Sequence, residues 1–338
     1  MSINPSMQNA NNINVDWKSN LDDWDSGDSD LREVVVQKAD IGSKYTYALQ
    51  LVKGHTFVYR GNNASNVSFN KYNPVLDLAG TAGGHTQTFA YAGQPGTGNW
   101  FVGTKLNNLN NYRNWSKWSK QIARVSIPQY GTISSNTEMP RLSNLNYAGS
   151  NYDYNVSCTG NQLARVEAAV SPDYTYFMIA YGDNSDNGYF ALYNLSDIND
   201  ALDNVSDSNG YVDITNVNCL KAFEIPHLAT DNVVGSLQGF AISEDGNYIY
   251  ISSQPSSDKY GYDRKIVKIP WGTTDPSDWE VVNLNNASKM FVNGYYTEIE
   301  GIQLINDNDL YLTVAYHNYN TDDTRINKIF EISWTSNI

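Results

Sequence analysis

Short runs in which apolar and polar residues alternate recur along the whole chain, separated by clusters of Ser, Asp, Asn and Gly. Alternation with period two predicts half-buried strands, and the clusters predict turns. The runs share a plan that repeats five times. Each unit opens on a short strand carrying Gln or Glu: VVVQKA (34–39), HTQTFA (85–90), RVEAAV (165–170), SLQGFA (236–241) and EIEGIQ (298–303). The aligned residues are Gln37, Gln87, Glu167, Gln238 and Glu300, at spacings of 50, 80, 71 and 62 residues. A turn follows, most legible as SPDY (171–174), SEDG (243–246) and NDND (306–309). Such residues bond their own backbone or, for Gly, accept positive φ.

Second strands are predicted at 45–51, 99–105, 174–180, 247–253 and 309–315, and third strands at 56–60, 120–127, 188–195, 264–270 and 327–333. Fourth strands are predicted at 74–78, 219–225 and 279–284. Constant strand content with variable spacing places the insertions in loops. Four antiparallel strands repeated five times predict an all-β fold, a five-bladed β-propeller. A six-bladed ring is the alternative, with residues 140–160 holding a partial extra unit. The last unit stops after its third strand, so its outer strand is expected from the beginning of the chain, near 12–17 or 31–36. The expected domain division is a polar, acidic segment at 1–30, partly disordered or closing the last blade, and one propeller domain at 31–338.

First strands lie nearest a propeller's axis, so the five aligned residues should form a polar ring. One reading is that each bonds a neighbouring blade and locks the ring. The other is a small-ligand or ion site at the axis, with His85 and His317 approaching the same end. Glu167 and Glu300, the acids of the ring, are the pair that glycoside cleavage would require, but the three strongly placed acids of such propeller enzymes are not evident. A second candidate surface is the aromatic and basic stretch NYRNWSKWSK (111–120), with Tyr112, Trp115, Lys117 and Trp118.

Composition narrows the function. The 338 residues carry a net charge of −14, which disfavours a nucleic-acid partner. Charged residues make up only 17%, against about 25% in typical domains. No apolar run is long enough to span a bilayer as a helix, and no amphipathic helix long enough to argue for a pore is legible. Residues 1–30 lack the basic start and apolar segment of a secretory signal. Cys158 and Cys219 show no metal spacing; one bridge and two free thiols both remain open. The four histidines show no HExxH pattern, and there is no G-x-S-x-G elbow or phosphate loop. DNSDNG (183–188) lacks the Glu that a calcium loop needs at its twelfth place, and reads as a polar hairpin. No catalytic residue, metal or cofactor is assigned.

Particular strings resemble the helveticin family, the large heat-labile class III bacteriocins of lactic acid bacteria. They are QKADIGSKYTYALQL (37–51), AGGHTQTF (82–89), KQIARV (120–125), PRLSNLNYAGSN (140–151), EAAVSPDY (167–174), YISSQ (250–254), KIVKIP (265–270) and YLTVAYH (311–317). The resemblance runs in order over about residues 33–334. It implies an antibacterial protein secreted without a recognisable signal peptide, killing related bacteria without hydrolysis, and it supplies no catalytic set to carry over. The expected partner is a surface component of a target bacterium, with a glycan as the candidate. The alternatives are a polysaccharide-acting enzyme and a surface glycan-binding module that does not kill.

Overall fold

A computed structural model describes residues 7–24, 34–106, 117–127, 131–205, 210–254, 259 and 263–338. It is a five-bladed β-propeller, built from five twisted sheets around an axis. From the axis outward, the first blade holds Val36–Ile41, Tyr45–Val52, His55–Asn62 and Leu76–Leu78. The second holds Phe89–Tyr91, Asn99–Leu106, Ser119–Ser126 and Arg141–Ser143. The third holds Leu163–Val170, Tyr176–Asp183, Gly188–Asn194 and Cys219–Ile225. The fourth holds Phe240–Ile242, Tyr248–Ser253, Lys265–Pro270 and Glu280–Asn283. The fifth holds Tyr295–Asn306, Asp309–Asn318, Thr324–Thr335 and, from the start of the chain, Asn11–Trp24.

Residues 140–160 form no sixth unit. They supply the fourth strand of the second blade, whose three residues are too short to show a period, and the turns that follow it. The fifth blade is closed by antiparallel pairing of Asn11–Trp24 with Thr324–Thr335, in which Val15 faces Ile332 and Trp17 faces Phe330.

The apolar alternation forms five buried clusters, one at each interface between neighbouring blades. Leu49 and Leu76 pack on Phe89 and Val102, and Phe101 and Ile122 on Phe177 and Tyr193. Met178 and Phe190 pack on Phe240 and Ile249, Tyr250 and Ile266 on Leu312 and Phe330, and Leu21 and Ile329 on Val36 and Tyr59. A single blade could not bury both its faces; five in a ring bury one another. The predicted turns close as their chemistry requires. Ser171 Oγ accepts from the Tyr176 amide at 2.9 Å, and Ser243 Oγ from the Tyr248 amide at 2.9 Å.

Two edges of each sheet need cover. At the axis, side chains of the neighbouring blade take up the free amides. Gln303 accepts from Ile41 N at 2.7 Å and donates to its carbonyl at 3.0 Å; Thr88 Oγ1 accepts from Ala168 N at 2.7 Å. At the rim, among the described residues, four blades gain a short parallel fifth strand. Thr132–Ile133 lies on the first blade, Tyr211–Asp213 on the second, Gln8–Asn9 on the fourth and Asn66–Phe69 on the fifth. Each comes from a segment outside the blade it completes, so these strands tie neighbouring blades together.

Candidate functional site

The five aligned residues meet in one bonded hub. Gln87 is at its centre: its side-chain amide donates to Gln238 Oε1 at 2.9 Å and to the Glu300 carboxylate, and its Oε1 accepts from Arg165 Nη2 at 2.8 Å. Arg165 also bonds Glu167 through Nε at 3.0 Å and donates to the Leu237 and Gln238 carbonyls. The second oxygen of Glu167 accepts from Thr86 Oγ1, the Gln87 amide and Thr88 Oγ1 at 3.0, 3.0 and 2.6 Å. Gln37 Oε1 lies 2.6 Å from His85 Nε2, and the His85 ring stacks on Trp118 at 3.7 Å. The Arg165 guanidinium lies over the Trp118 ring, 3.6 Å from its centroid. One network therefore links all five blades.

Local sequence explains the convergence. Arg165 and Glu167 are two apart on one strand and so point the same way. Gly239 and Gly301 follow Gln238 and Glu300 because the inner strands nearly touch there. A Cβ on Gly239 would stand 2.6 Å from Ile302 N, and one on Gly301 would stand 2.8 Å from the Gln37 carbonyl. Burial, reinforced by Glu298, holds the Glu300 carboxyl well above its ordinary range. Burial, with Arg165 and Lys117 nearby, pushes His85 down to about 3, so its ring is neutral and can donate from Nε2 to Gln37.

Of the other residues singled out in the sequence, Trp118 belongs to the hub with Lys117 beside it, and the rest of those described are placed apart. His317 Nε2 lies 2.9 Å from Glu298 Oε2 beside a cleft of about 290 Å³ at the start of the fifth inner strand. Lys117 is exposed and Trp118 half-buried. Tyr112 and Trp115 lie outside the described residues. Asp183 closes the 183–188 hairpin by accepting from the Ser185 and Asn187 amides at 2.8 and 3.0 Å. Cys158 and Cys219 are buried free thiols. Among the described residues, no group of three or more His, Cys, Asp or Glu side chains is placed to hold a metal.

A cavity of about 690 Å³ opens at the axis, on the face carrying the turns between first and second strands. All five blades line it. Lys38 and Asp40 come from the first, Tyr91 and Trp100 from the second, Tyr174 from the third, Phe240 from the fourth, and Gln303 and Tyr311 from the fifth. Among the described residues, Asp40 is the one carboxylate in its lining; neither Glu167 nor Glu300 reaches it. Burial, opposed by Lys38, raises Asp40 to about 6, and burial lowers the Lys38 ammonium. Sequence reasoning passed over Lys38 and Asp40. Their signal was two charges in an inner strand otherwise expected to be apolar, directly after Gln37.

Fold and site together define the class: a five-bladed propeller with a polar hub bonded across its blades and an open axial cavity. The sequence matches the profile of the family described as bacteriocin helveticin-J over residues 9–335, and the chain belongs to that family. It is 41% identical over 323 residues to bacteriocin helveticin-J of Lactobacillus helveticus, covering 89% of this chain and 93% of that one. Among solved structures it is similar to a putative exo-beta-1,3-galactanase from Bifidobacterium bifidum s17, at 12% identity, TM-score 0.48, and coverage of 95% and 97% of the two chains. It is also similar to the catalytic domain of a Coprinopsis cinerea GH62 alpha-L-arabinofuranosidase, at 10% identity, TM-score 0.45, and coverage of 95% and 98%.

Proposed function

We propose that this chain is a bacteriocin that acts outside the cell that makes it, binding a surface component of related bacteria and killing them without hydrolysing it. The observation that carries this reading is the 41% identity to bacteriocin helveticin-J along nearly the whole of both chains. The site geometry agrees with it. Glycoside cleavage needs two carboxyl groups facing one substrate. Here Glu167 and Glu300 are each about 1% exposed and bonded within the hub, and the described lining of the open cavity has one carboxylate. The test is a killing assay with purified protein on a panel of bacteria related to the producer, with released sugar measured in parallel. Loss of viability without sugar release is expected. Failure to inhibit any strain, with the circular dichroism of the folded protein intact, would sink the proposal.

A further inference from the structure

The axial cavity has a charged floor whose bonding capacity is unused. Lys38 and Asp40 are two apart on the inner strand of the first blade, and both line the cavity. They are 5% and 9% exposed, and neither makes a side-chain hydrogen bond or ion pair with a described residue. An ammonium offers three donors and a carboxylate about four acceptor sites. Both residues line the open cavity, so a ligand seated there can bond the two at once.

The walls carry the complementary apolar surface. Tyr174 stands at the mouth, half exposed, with its backbone at φ 61°. That region is unfavourable for a bulky L-residue, and it is held by the turn in which the Tyr174 amide donates to the Ser171 carbonyl at 2.9 Å. The ring meets Tyr91 edge to face at 5.5 Å, and Tyr91 is anchored through its hydroxyl to the Gln94 carbonyl at 2.7 Å. A strained but fixed aromatic ring at the rim therefore overlooks a floor of one positive and one negative charge.

From this geometry we infer that the axial cavity is the receptor site and that it takes a neutral saccharide of the target's wall polysaccharide. Ring hydroxyls both donate and accept, so adjacent hydroxyls can meet Asp40 and Lys38 at once. The C–H face of a sugar lies on an aromatic ring such as Tyr174. Lys38 and Asp40 offset each other at the floor and exposed Lys44 adds one positive charge to the lining, but the chain as a whole carries −14, so a polyphosphate polymer would meet long-range repulsion on approach. The cavity size falls in the range of about 300–1,000 Å³ usual for small-ligand sites. This inference rests on the bacteriocin reading only for the source of the sugar.

The experiment titrates the full chain with two probes: phosphate-free wall polysaccharide purified from a susceptible strain, and lipoteichoic acid from the same strain. Tryptophan fluorescence, to which Trp100 in the cavity wall contributes, and calorimetry report binding. Wild type should bind the polysaccharide. Asp40→Asn and Tyr174→Gly should each weaken that binding about tenfold or more, with the fold retained and the melting temperature not lowered. Unchanged affinity in both variants, no binding of the polysaccharide, or binding of lipoteichoic acid alone would overturn the inference. Killing is scored alongside. If the variants kill like wild type, the cavity assignment falls and the bacteriocin reading stands. If pocket-dependent binding occurs and no strain dies, the reverse holds.

Discussion

Replacing Asp40 by Asn should stabilise the protein in a pH-dependent way. Asp40 has a folded value of about 6 against an ordinary 3.8, because burial disfavours its charge. The native state thus holds the proton more tightly than the unfolded state. Below pH 3.8 both states are protonated and there is no penalty. Between 3.8 and about 6 the unfolded state ionises first, so wild type loses stability as pH rises; above about 6 the loss is complete. The gap between 3.8 and 6, at about 1.4 kcal/mol per tenfold in proton affinity, is about 3 kcal/mol. That is a ceiling, since Lys38 loses its carboxylate neighbour in the variant. At about 2.1 cal/mol/K per residue, 338 residues unfold with about 0.7 kcal/mol/K, so the melting point should rise by up to about 4 °C at pH 7. The assay is thermal and urea denaturation of both proteins from about pH 3.5 to 8, a range that brackets both values. Glu300 also has a raised value but is present in both, so its effect cancels. A gap that is flat across this range, or that makes the variant less stable at pH 7, would refute the reasoning.

Two further outcomes follow from the hub and the thiols. Arg165→Met leaves the Glu167 carboxylate buried without its cation, and should cost about 3–5 kcal/mol in urea unfolding. Adding Glu167→Gln should recover part of that loss, and strict additivity of the two changes would contradict the pairing. Burial raises Cys158 to about 12 and Cys219 to about 11. A thiol reagent should therefore leave the native protein unlabelled and modify two cysteines in denaturant, as read by mass; unlabelled denatured protein would instead indicate a bridge.

The blade plan was legible because a strand's side chains alternate and a turn has its own chemistry. Gln37, Gln87, Glu167, Gln238 and Glu300 could be aligned for the same reason. What escaped notice depends on pairing across the ring. Arg165 became part of the hub only when Gln87 and the Leu237 carbonyl were brought to it. The rim strands Gln8–Asn9 and Thr132–Ile133 are two residues long and pair in parallel with distant segments, so no local period marks them. Lys38 and Asp40 were visible as charges, but not as the floor of a cavity. That role depends on Tyr174 and Tyr311, which arrive from other blades.

The closure of the fifth blade bears on how the chain matures at the ribosome. Lys18 meets Glu331, a partner 313 residues downstream. At about 5–20 residues per second, tens of seconds separate the synthesis of the two. During that interval the segment Asn11–Trp24 has no Thr324–Thr335 to pair with, and Gln8–Asn9 waits as well for Glu280–Asn283. The ring thus cannot be latched until Thr324–Thr335 has emerged, and the nascent chain stays open until then.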